Sequence, residues 1–369
     1  MSAAFIVAAA LSAFYLFFFI QRMLATFGAN TKKIGVRIVA GVIALALAAF
    51  TANMFSFAGV AILHIVVMAL AAELVNLIVK LFAKSKYSEL KIWKKVYGSG
   101  ALALVFTAVL MVFGYINLHT VVETDYTVNT EKEIRAEGYR VALISDVHFG
   151  VSIDYEELLE ICGEISQSDV DIVVLCGDIV DNDTTREEMY QVFSAFGTIK
   201  SEFGVFYVHG NHDRPYGFRG FESEFSEQEL IKAIEDNNIT ILQDEIYEIA
   251  NDFVIVGRED RSVRSRRTTA ELLSGVDADK FVLTLDHQPQ EYAATAATST
   301  DLVLSGHTHG GQLWPLKQVQ EIFKFNDKVY GQGFIDSDTQ YIVTSGLAGW
   351  KYPIKTASPA EYVIVNIKG

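Results

Sequence analysis

Four long apolar runs fill the first third of the chain, and they constrain its fold more than any other feature. They occupy residues 5–20 (extendable to 27), 34–52, 57–79 and 101–118. Each approaches the ~20 residues that a helix needs to cross the hydrocarbon core of a bilayer. Four nearly uncharged runs so close together are not typical of a soluble helical bundle. We therefore predict four transmembrane helices within residues 1–119.

Charge is divided unevenly between this front third and the remainder. Residues 1–120 hold ten Lys and Arg against two Asp and Glu, whereas residues 121–369 hold twenty against forty-three. The basic residues cluster in the loops after the first and third runs, which the positive-inside rule places in the cytoplasm. No positive side chain precedes the first run, so we expect a retained span and not a cleaved signal peptide. This predicts a multi-pass cell-membrane protein with an extracytoplasmic remainder.

The acidic remainder limits the classes of partner. Its net charge of −23 argues against nucleic acid, because no basic surface is present to neutralise a phosphate backbone. We divide it into a polar linker at 120–138 and a globular domain at 139–369, which is long enough to bury a full core. Cys162 and Cys176 are too few for a disulfide framework and lack metal-binding spacing, although one bridge between them remains open.

Short Val- and Ile-rich runs alternate with amphipathic stretches in the globular domain. Strands are predicted at 140–145, 170–176, 205–209, 253–257, 281–285, 301–305, 341–344 and 362–367. Helices are predicted at 154–167, 184–200 and 226–237. This alternation predicts an α/β layered domain.

Five of the predicted strands end in side chains of metal-ligand type. The strand ends carry Asp146, His148, Asp178, Asn211, His287, His307 and His309. A lone Gly-Asp pair is usually a turn, so each motif alone is weak. The carboxyl ends of strands in open α/β sheets share one edge, however, and five strands that end this way predict a common site.

The chemistry of these groups favours two metal ions. A mixture of imidazole, carboxylate and amide ligands suits Mn, Fe or Zn and excludes a thiolate cluster. The ligands are too many for one metal and right for two, provided that one carboxylate bridges them. Two metals that share a water make hydroxide available at neutral pH. They also stabilise the attacking and the leaving oxygens of an in-line displacement at phosphorus. His212 directly follows Asn211, so it projects to the rim, where it can protonate the leaving oxygen.

Taken in order, five sequence blocks resemble the calcineurin-like metallophosphoesterase superfamily over residues 139–368. The blocks are Asp146-x-His148, Gly177-Asp178-x-x-Asp181, Gly210-Asn211-His212-Asp213, His287 and Gly306-His307-x-His309. The resemblance implies a four-layer α/β fold, in which a double β-sandwich is flanked by helices, after the four-helix transmembrane region. It also implies two divalent metal ions, of manganese, zinc or iron.

Roles follow from the resemblance position by position. The first metal would be held by Asp146, His148 and His309. The second would be held by Asn211, His287 and His307, and Asp178 would bridge the two. A metal-bridging hydroxide would attack phosphorus, with His212 as general acid and Asp181 holding it in orientation. Asp213, outside the ligand set, is expected to support the loop.

The blocks GHTHGGQ at 306–312 and LDHQP at 285–289, with the tail 344–359, are similar to the membrane-associated bacterial branch. That branch includes cell-envelope phosphoesterases and UDP-diacylglucosamine pyrophosphohydrolases. It implies hydrolysis of a phosphate ester or pyrophosphate in a lipid or cell-envelope substrate. Arg214, Arg258 and Lys355 are predicted to bind that substrate.

The alternative function is a non-catalytic membrane sensor whose metal domain binds a phosphorylated ligand. A mere binder does not need a proton donor at the rim, so the presence of His212 and Asp181 argues against it.

Two further features have competing interpretations. Apolar residues flank the predicted site at 214–221 and 313–316, with Ile322, Phe323 and Phe325 beyond. They suit an acyl chain or a bilayer surface, but we expect ordinary packing, the usual state of such side chains. Polar residues in the third run include Glu73, which we expect to reach the interface or Lys80 and not to serve transport.

Overall fold

A computed structural model describes residues 3–214 and 223–369 of the chain. The chain divides into two compact units, each with its own internal contacts. The first unit is Met1–Ile116 with Lys351–Ile354, and the second is Asn117–Trp350 with Lys355–Gly369. The segment Lys351–Ile354, predicted as part of the globular domain, is therefore grouped with the first unit.

Each predicted apolar run forms a helix. The helices are α1 (Ala3–Thr26), α2 (Ile34–Phe50), α3 (Phe57–Ala83), a 3₁₀ helix (Lys84–Glu89), α4 (Lys91–Gly98) and α5 (Ala101–Leu118). Within the described residues, three helical segments are long and apolar enough to cross a membrane by length and composition: Ile6–Thr26, Phe57–Glu89 and Ala101–Leu118. With 17 residues, α2 is shorter. The count of four spans stays a prediction.

The polar residues of α3 find partners inside the first unit. Glu73 forms an ion pair with Arg22 of α1, instead of with the expected Lys80, and Tyr97 of α4 hydrogen-bonds both. The Arg22 guanidinium also lies 4.2 Å from the centroid of the Tyr97 ring. The side-chain oxygen of Asn76 accepts hydrogen bonds from the Tyr87 hydroxyl and the Trp93 indole N–H. These contacts satisfy charged and amide groups that an apolar helix would otherwise leave unpaired.

Strands dominate the second unit. Those of the first sheet are β1 (Val121–Asn129), β2 (Tyr139–Ile144), β3 (Ile172–Cys176), β4 (Val205–Val208), β5 (Ile239–Ile241) and β12 (Ala360–Lys368). Those of the second are β6 (Glu245–Ile249), β7 (Phe253–Gly257), β8 (Phe281–Leu285), β9 (Leu302–Ser305), β10 (Gly331–Phe334) and β11 (Gln340–Val343). Within the described ranges, their orders are β1-β12-β2-β3-β4-β5 and β10-β11-β9-β8-β7-β6.

Helices cover the outer faces of the two sheets. They are α6 (Tyr155–Gln167), α7 (Arg186–Phe196), α8 (Glu227–Asp236), α9 (Thr269–Leu272) and α10 (Tyr292–Ala296). A further helix, α11 (Leu316–Phe323), has no buried residue. Capping boxes begin α7 and α8, at Thr185 with Glu188 and at Ser226 with Glu229.

Successive side chains along each strand point to opposite faces of its sheet, and this alternation produces the layers of the fold. Val174 of β3 packs with Leu283 of β8 in the core between the sheets, whereas Val173 and Leu175 pack with Phe193 of α7 on the other face. Val254 of β7 packs with α9 on the outer face of the second sheet. The result is the predicted double β-sandwich flanked by helices. Both cysteines are buried and free.

The polar stretch predicted as a linker contains a strand. Residues 121–129 form β1, which pairs in parallel with β12 from Val121 opposite Ala360 to Asn129 opposite Lys368. Charged side chains such as Glu123 gave this stretch its polar composition, and they are compatible with a strand at the edge of a sheet. The chain therefore enters the sheet almost directly after α5.

Candidate metal centre

The ligand-type side chains converge at the carboxyl ends of parallel strands. β2 and β3 are parallel neighbours in the first sheet, and β8 and β9 are parallel neighbours in the second. In the described part of the chain, two groups of three side chains could each hold a metal ion. Within each group, the ligand atoms all lie within 4.8 Å of one another. The groups are Asp146, His148 and His309, and Asp178, His287 and His307. The topology thus brings together residues up to 163 positions apart in the sequence.

Asp178 lies between the two groups. Its Oδ2 is 3.0 Å from Nε2 of His287 and 3.9 Å from Nε2 of His148. The side chain is fully buried, and its other oxygen accepts a hydrogen bond from the backbone N–H of His212. One carboxylate oxygen therefore faces ligands of both groups, as a bridging role requires.

Two of the histidines are oriented by hydrogen bonds at Nδ1, and the Nδ1 of a third faces a carboxylate. Nδ1 of His287 lies 2.7 Å from the carbonyl of Cys176, and Nδ1 of His309 lies 3.4 Å from that of Ala348. Nδ1 of His148 is 3.1 Å from Oδ2 of Asp181. A proton on Nδ1 leaves Nε2 with a lone pair, which is the form that binds a metal.

Two observations test whether these residues fit metal ions. Nε2 of His148 lies 3.2 Å from Nε2 of His309, so with both protons on Nδ1 two lone pairs face each other. The amide oxygen of Asn211 is a buried acceptor with no hydrogen-bond partner in the described structure. A cation resolves both features, because it accepts lone pairs from several ligands at once. The site fits two divalent metal ions.

Electrostatics hold two of the histidines neutral and Asp178 ionised. Burial lowers the pKa of His309 to about 3 and, together with nearby His287, that of His307 to about 4, so both rings are neutral. Burial acts to raise the pKa of Asp178, but the charge and hydrogen bond of His287 outweigh it and hold that pKa well below its usual range. Asp178 is therefore ionised. Burial acts to lower the pKa of His287, but the carboxylate of Asp178 raises it well above the ordinary value, so a metal ion at its Nε2 would replace a proton.

His212 occupies the rim of the centre. Its Nδ1 lies 3.6 Å from Oδ1 of Asp181, and its ring centroid lies 5.3 Å from those of His148 and Trp350. Burial acts to lower the pKa of His212, yet the carboxylates of Asp181 and Asp178 raise it above the ordinary value. The two carboxylates therefore favour the protonated form of this ring.

The backbone around Asp178 has room for glycine alone. Gly177 has φ +82°, and a Cβ there would lie 2.6 Å from both Nδ1 of His287 and the backbone nitrogen of Gly210. Asp213 fixes the same turn by accepting from four backbone N–H groups. Asp213 therefore supports the loop, as the sequence led us to expect.

Two of the three residues predicted to bind substrate are fully engaged by contacts within the protein. Lys355 is fully buried and donates to the carbonyls of Ser345, Gly346 and Ala348, which leaves no donor for a substrate. Arg258 is buried in an ion pair with Asp286. Neither position fits the predicted substrate contact, because each buried charge is already paired with groups of the folded chain.

Arg214 differs from these two. It is half-buried and pairs with Glu227 and Glu259. Residues 215–221, in the apolar segment predicted beside it, lie outside the described residues.

The family comparison agrees with this geometry. A family model described as calcineurin-like phosphoesterase matches residues 139–311, the stretch that supplies both groups of ligands. The second unit contains a calcineurin-like phosphoesterase domain. The protein is thus a metal-dependent phosphoesterase that uses two metal ions.

Relatives include membrane proteins. The phosphoesterase is 26% identical to an uncharacterized metallophosphoesterase of Campylobacter jejuni, over 82% of this chain and 78% of the relative. It is 28% identical to a zebrafish (Danio rerio) protein named a transmembrane protein with metallophosphoesterase domain, over 79% of this chain and 68% of the relative. With the apolar helices, this associates the phosphoesterase with a membrane.

Among solved structures, a dimetal phosphatase from Danio rerio is 14% identical, with a TM-score of 0.33, over 56% of this chain and 86% of that one.

Sequence reasoning missed two residues at the centre. Ser145 donates to Oδ2 of Asp146 and so helps to fix a predicted ligand. Trp350 lies against the His212 ring. The position of Ser145 directly before Asp146 was an available signal, whereas Trp350 lies 138 residues beyond His212 and carries no motif.

Proposed function

We propose that this phosphoesterase hydrolyses a phosphate ester or pyrophosphate of a lipid or cell-envelope substrate. The observation that supports the chemistry is the position of Asp178 between two groups of ligands. The observation that supports the substrate class is the covalent attachment of the domain to apolar helices.

In this proposal, Asp146, His148 and His309 hold one metal, Asn211, His287 and His307 hold the other, and Asp178 bridges them. Bound there, the metal pair supplies a hydroxide nucleophile at neutral pH and neutralises charge on the phosphoryl oxygens.

His212 provides the proton for the leaving group. Asp181 lies 3.6 Å from its Nδ1, and the nearby rings of His148 and His212 lower the pKa of Asp181 despite burial, which favours its ionised form. A proton on Nδ1 then points to Asp181, and the proton on Nε2 is free to pass to the leaving oxygen. Asp181 is a positioning residue shared by His212 and His148.

The topology is also part of the proposal. Basic loops at 22–37 and 80–95 lie on the cytoplasmic side, and the chain crosses the membrane several times. The phosphoesterase domain then faces the outside, where envelope phosphates are accessible to it.

His212→Asn tests the assigned chemistry. We expect turnover to fall by about 10²–10⁴, the usual contribution of general acid catalysis, while two metals stay bound. The measurement is turnover of the purified full chain on aryl phosphate, phospholipid and nucleotide-lipid substrates, with metal content determined in parallel.

The matched control is His119→Asn, which changes an exposed histidine outside the centre. It should turn over like the unaltered chain. If His212→Asn also turns over like the unaltered chain, the role of proton donor is wrong. If none of the lipid or nucleotide-lipid substrates is hydrolysed faster than the aryl phosphate, the substrate class is wrong.

A further inference from the structure

Helix α11 exposes the apolar face of an amphipathic helix. That face carries Leu316, Val319, Ile322 and Phe323, which recur at spacings of three and four residues. Ile322 is 74% exposed and Phe323 is 67% exposed, and no residue of the helix is buried. The expectation of ordinary packing is therefore wrong for these residues. An apolar face of this kind marks an interaction surface.

The segment after α11 extends the same surface. Phe325 is 61% exposed, and its ring stacks on that of Phe323 with centroids 5.9 Å apart. The polar face and the following turn carry Lys317, Lys324 and Lys328 against Glu321 and Asp327. Phenylalanine and leucine on one face with lysines at the border are typical of helices that lie in the headgroup region of a bilayer.

Hydrogen bonds link the start of α11 to Asn117, the residue with which the second unit begins. Trp314 N–H donates to Oγ1 of Thr356 over 2.8 Å, and Thr356 N–H donates to the carbonyl of Gln312 over 2.7 Å. The side chain of Asn117 in α5 donates to the carbonyls of Lys355 and Ser358. One loop, 355–358, thus contacts both Asn117, which continues the chain from α5, and the root of α11.

The root of α11 also contacts the turn that holds a metal ligand. A Cβ on Gly311 would lie 2.5 Å from Cα of Lys317, so the helix begins directly against the turn that carries His309. The position of α11 is therefore coupled to the metal centre.

We propose that α11 with residues 324–325, the interfacial segment, lies in the headgroup region of the bilayer that anchors the chain. Its apolar face enters the lipid, and its lysines remain at the level of the phosphates. This contact holds the phosphoesterase centre at the membrane surface. It concerns the interfacial segment alone and does not depend on the substrate proposed above.

A lipid-quenching measurement on the full chain tests this contact. Phe323→Cys is labelled with nitrobenzoxadiazole and reconstituted in vesicles of phosphatidylethanolamine and phosphatidylglycerol that contain a spin-labelled lipid. The native Cys162 and Cys176 are buried, and burial raises the pKa of both thiols, so they do not compete for the label. We expect the spin-labelled lipid to reduce the emission at position 323 several-fold.

The matched control is Gln318→Cys, an exposed position on the polar face of the same helix. Its label should be quenched much less than the label at 323, and a label at Tyr190→Cys on α7 should not be quenched. Ile322→Cys repeats the test at a second apolar position, and metal content of each variant confirms a folded centre. Equal quenching at 323 and 318, or none at 323 and 322, would overturn the proposal. Emission that shifts with protein concentration but not with spin label would assign the surface to a second copy instead.

Discussion

Five of the predicted metal ligands have a left-handed backbone. Asp146, His148, Asp178, His307 and His309 adopt φ between 39° and 70°. Such conformations cost of the order of 1–3 kcal/mol each and persist only where surrounding contacts fix them. Here the carboxylate of Asp146 accepts a hydrogen bond from the backbone N–H of His307. The carbonyl of Asp178 accepts hydrogen bonds from the backbone N–H groups of Val147 and His148. The ligands therefore hold one another in place through hydrogen bonds between their own segments.

Asp213→Asn tests this preorganisation at the scale of one residue. The carboxylate accepts from the N–H groups of Asp178, Ile179, Val180 and Gly210. In asparagine an NH2 group replaces one of the two carboxylate oxygens, so two of the four N–H groups lose their acceptor. Each buried donor left unpaired costs about 1–3 kcal/mol. We expect the thermal midpoint to fall by several degrees and metal content to fall below two per chain, as measured by thermal inactivation and elemental analysis.

Asp236→Asn, an exposed carboxylate on α8, is the control and should change neither quantity. An Asp213→Asn chain with the full metal content and an unchanged midpoint would show that these four hydrogen bonds do not fix the turn.

The turn after β3 is the element on which both groups of ligands depend. Gly177→Ala adds a Cβ where φ is +82° and where Nδ1 of His287 and the nitrogen of Gly210 are 2.6 Å away. We expect turnover to fall at least tenfold, which corresponds to about 1.4 kcal/mol, together with loss of metal. Turnover and metal content of the purified chain are the measurements.

Gly163→Ala is the matched control, because Gly163 lies within α6 and a Cβ there meets nothing within 4 Å. Alanine favours a helix over glycine by about 1 kcal/mol, so this variant should be as active as the unaltered chain and slightly more stable. Equal activity of the two glycine variants would mean that the turn tolerates a side chain.

Patterns local in sequence predicted the elements that are central and buried. β3, β7 and β8 are short runs of apolar residues, and each lies within the predicted ranges. β1 was not predicted, because the polar run that includes Glu123 and Asp125 interrupts its apolar residues and its partner β12 lies more than 230 residues away. β5 has three residues, and β10 contains two glycines, so neither carries a strand signal.

The same limit applies within the metal centre. Residue type and strand ends were enough to identify the groups that meet, such as Asp178 with His287. They could not show that Lys355 and Arg258 are buried, because burial depends on the whole packed domain. Nor could they show that the apolar face of α11 is exposed.

At the scale of the whole molecule, the distribution of lysine and arginine predicts the topology. A cysteine introduced at Ser337, in an exposed turn of the phosphoesterase domain, should react with a membrane-impermeant maleimide in intact cells. A cysteine at Ser85, in the basic loop after α3, should react only after the cells are permeabilised. The reverse pattern would place the domain in the cytoplasm and remove envelope phosphates as substrates.

Metal titration of the full chain is the most direct test of the central claim, that two groups of ligands joined by Asp178 hold a catalytic pair of cations. Chelation should abolish phosphoester turnover, and Mn, Fe or Zn should restore it, with two ions bound per chain at full activity. A chain that stays active in chelator, or that reaches full activity with a single bound ion, would contradict the account.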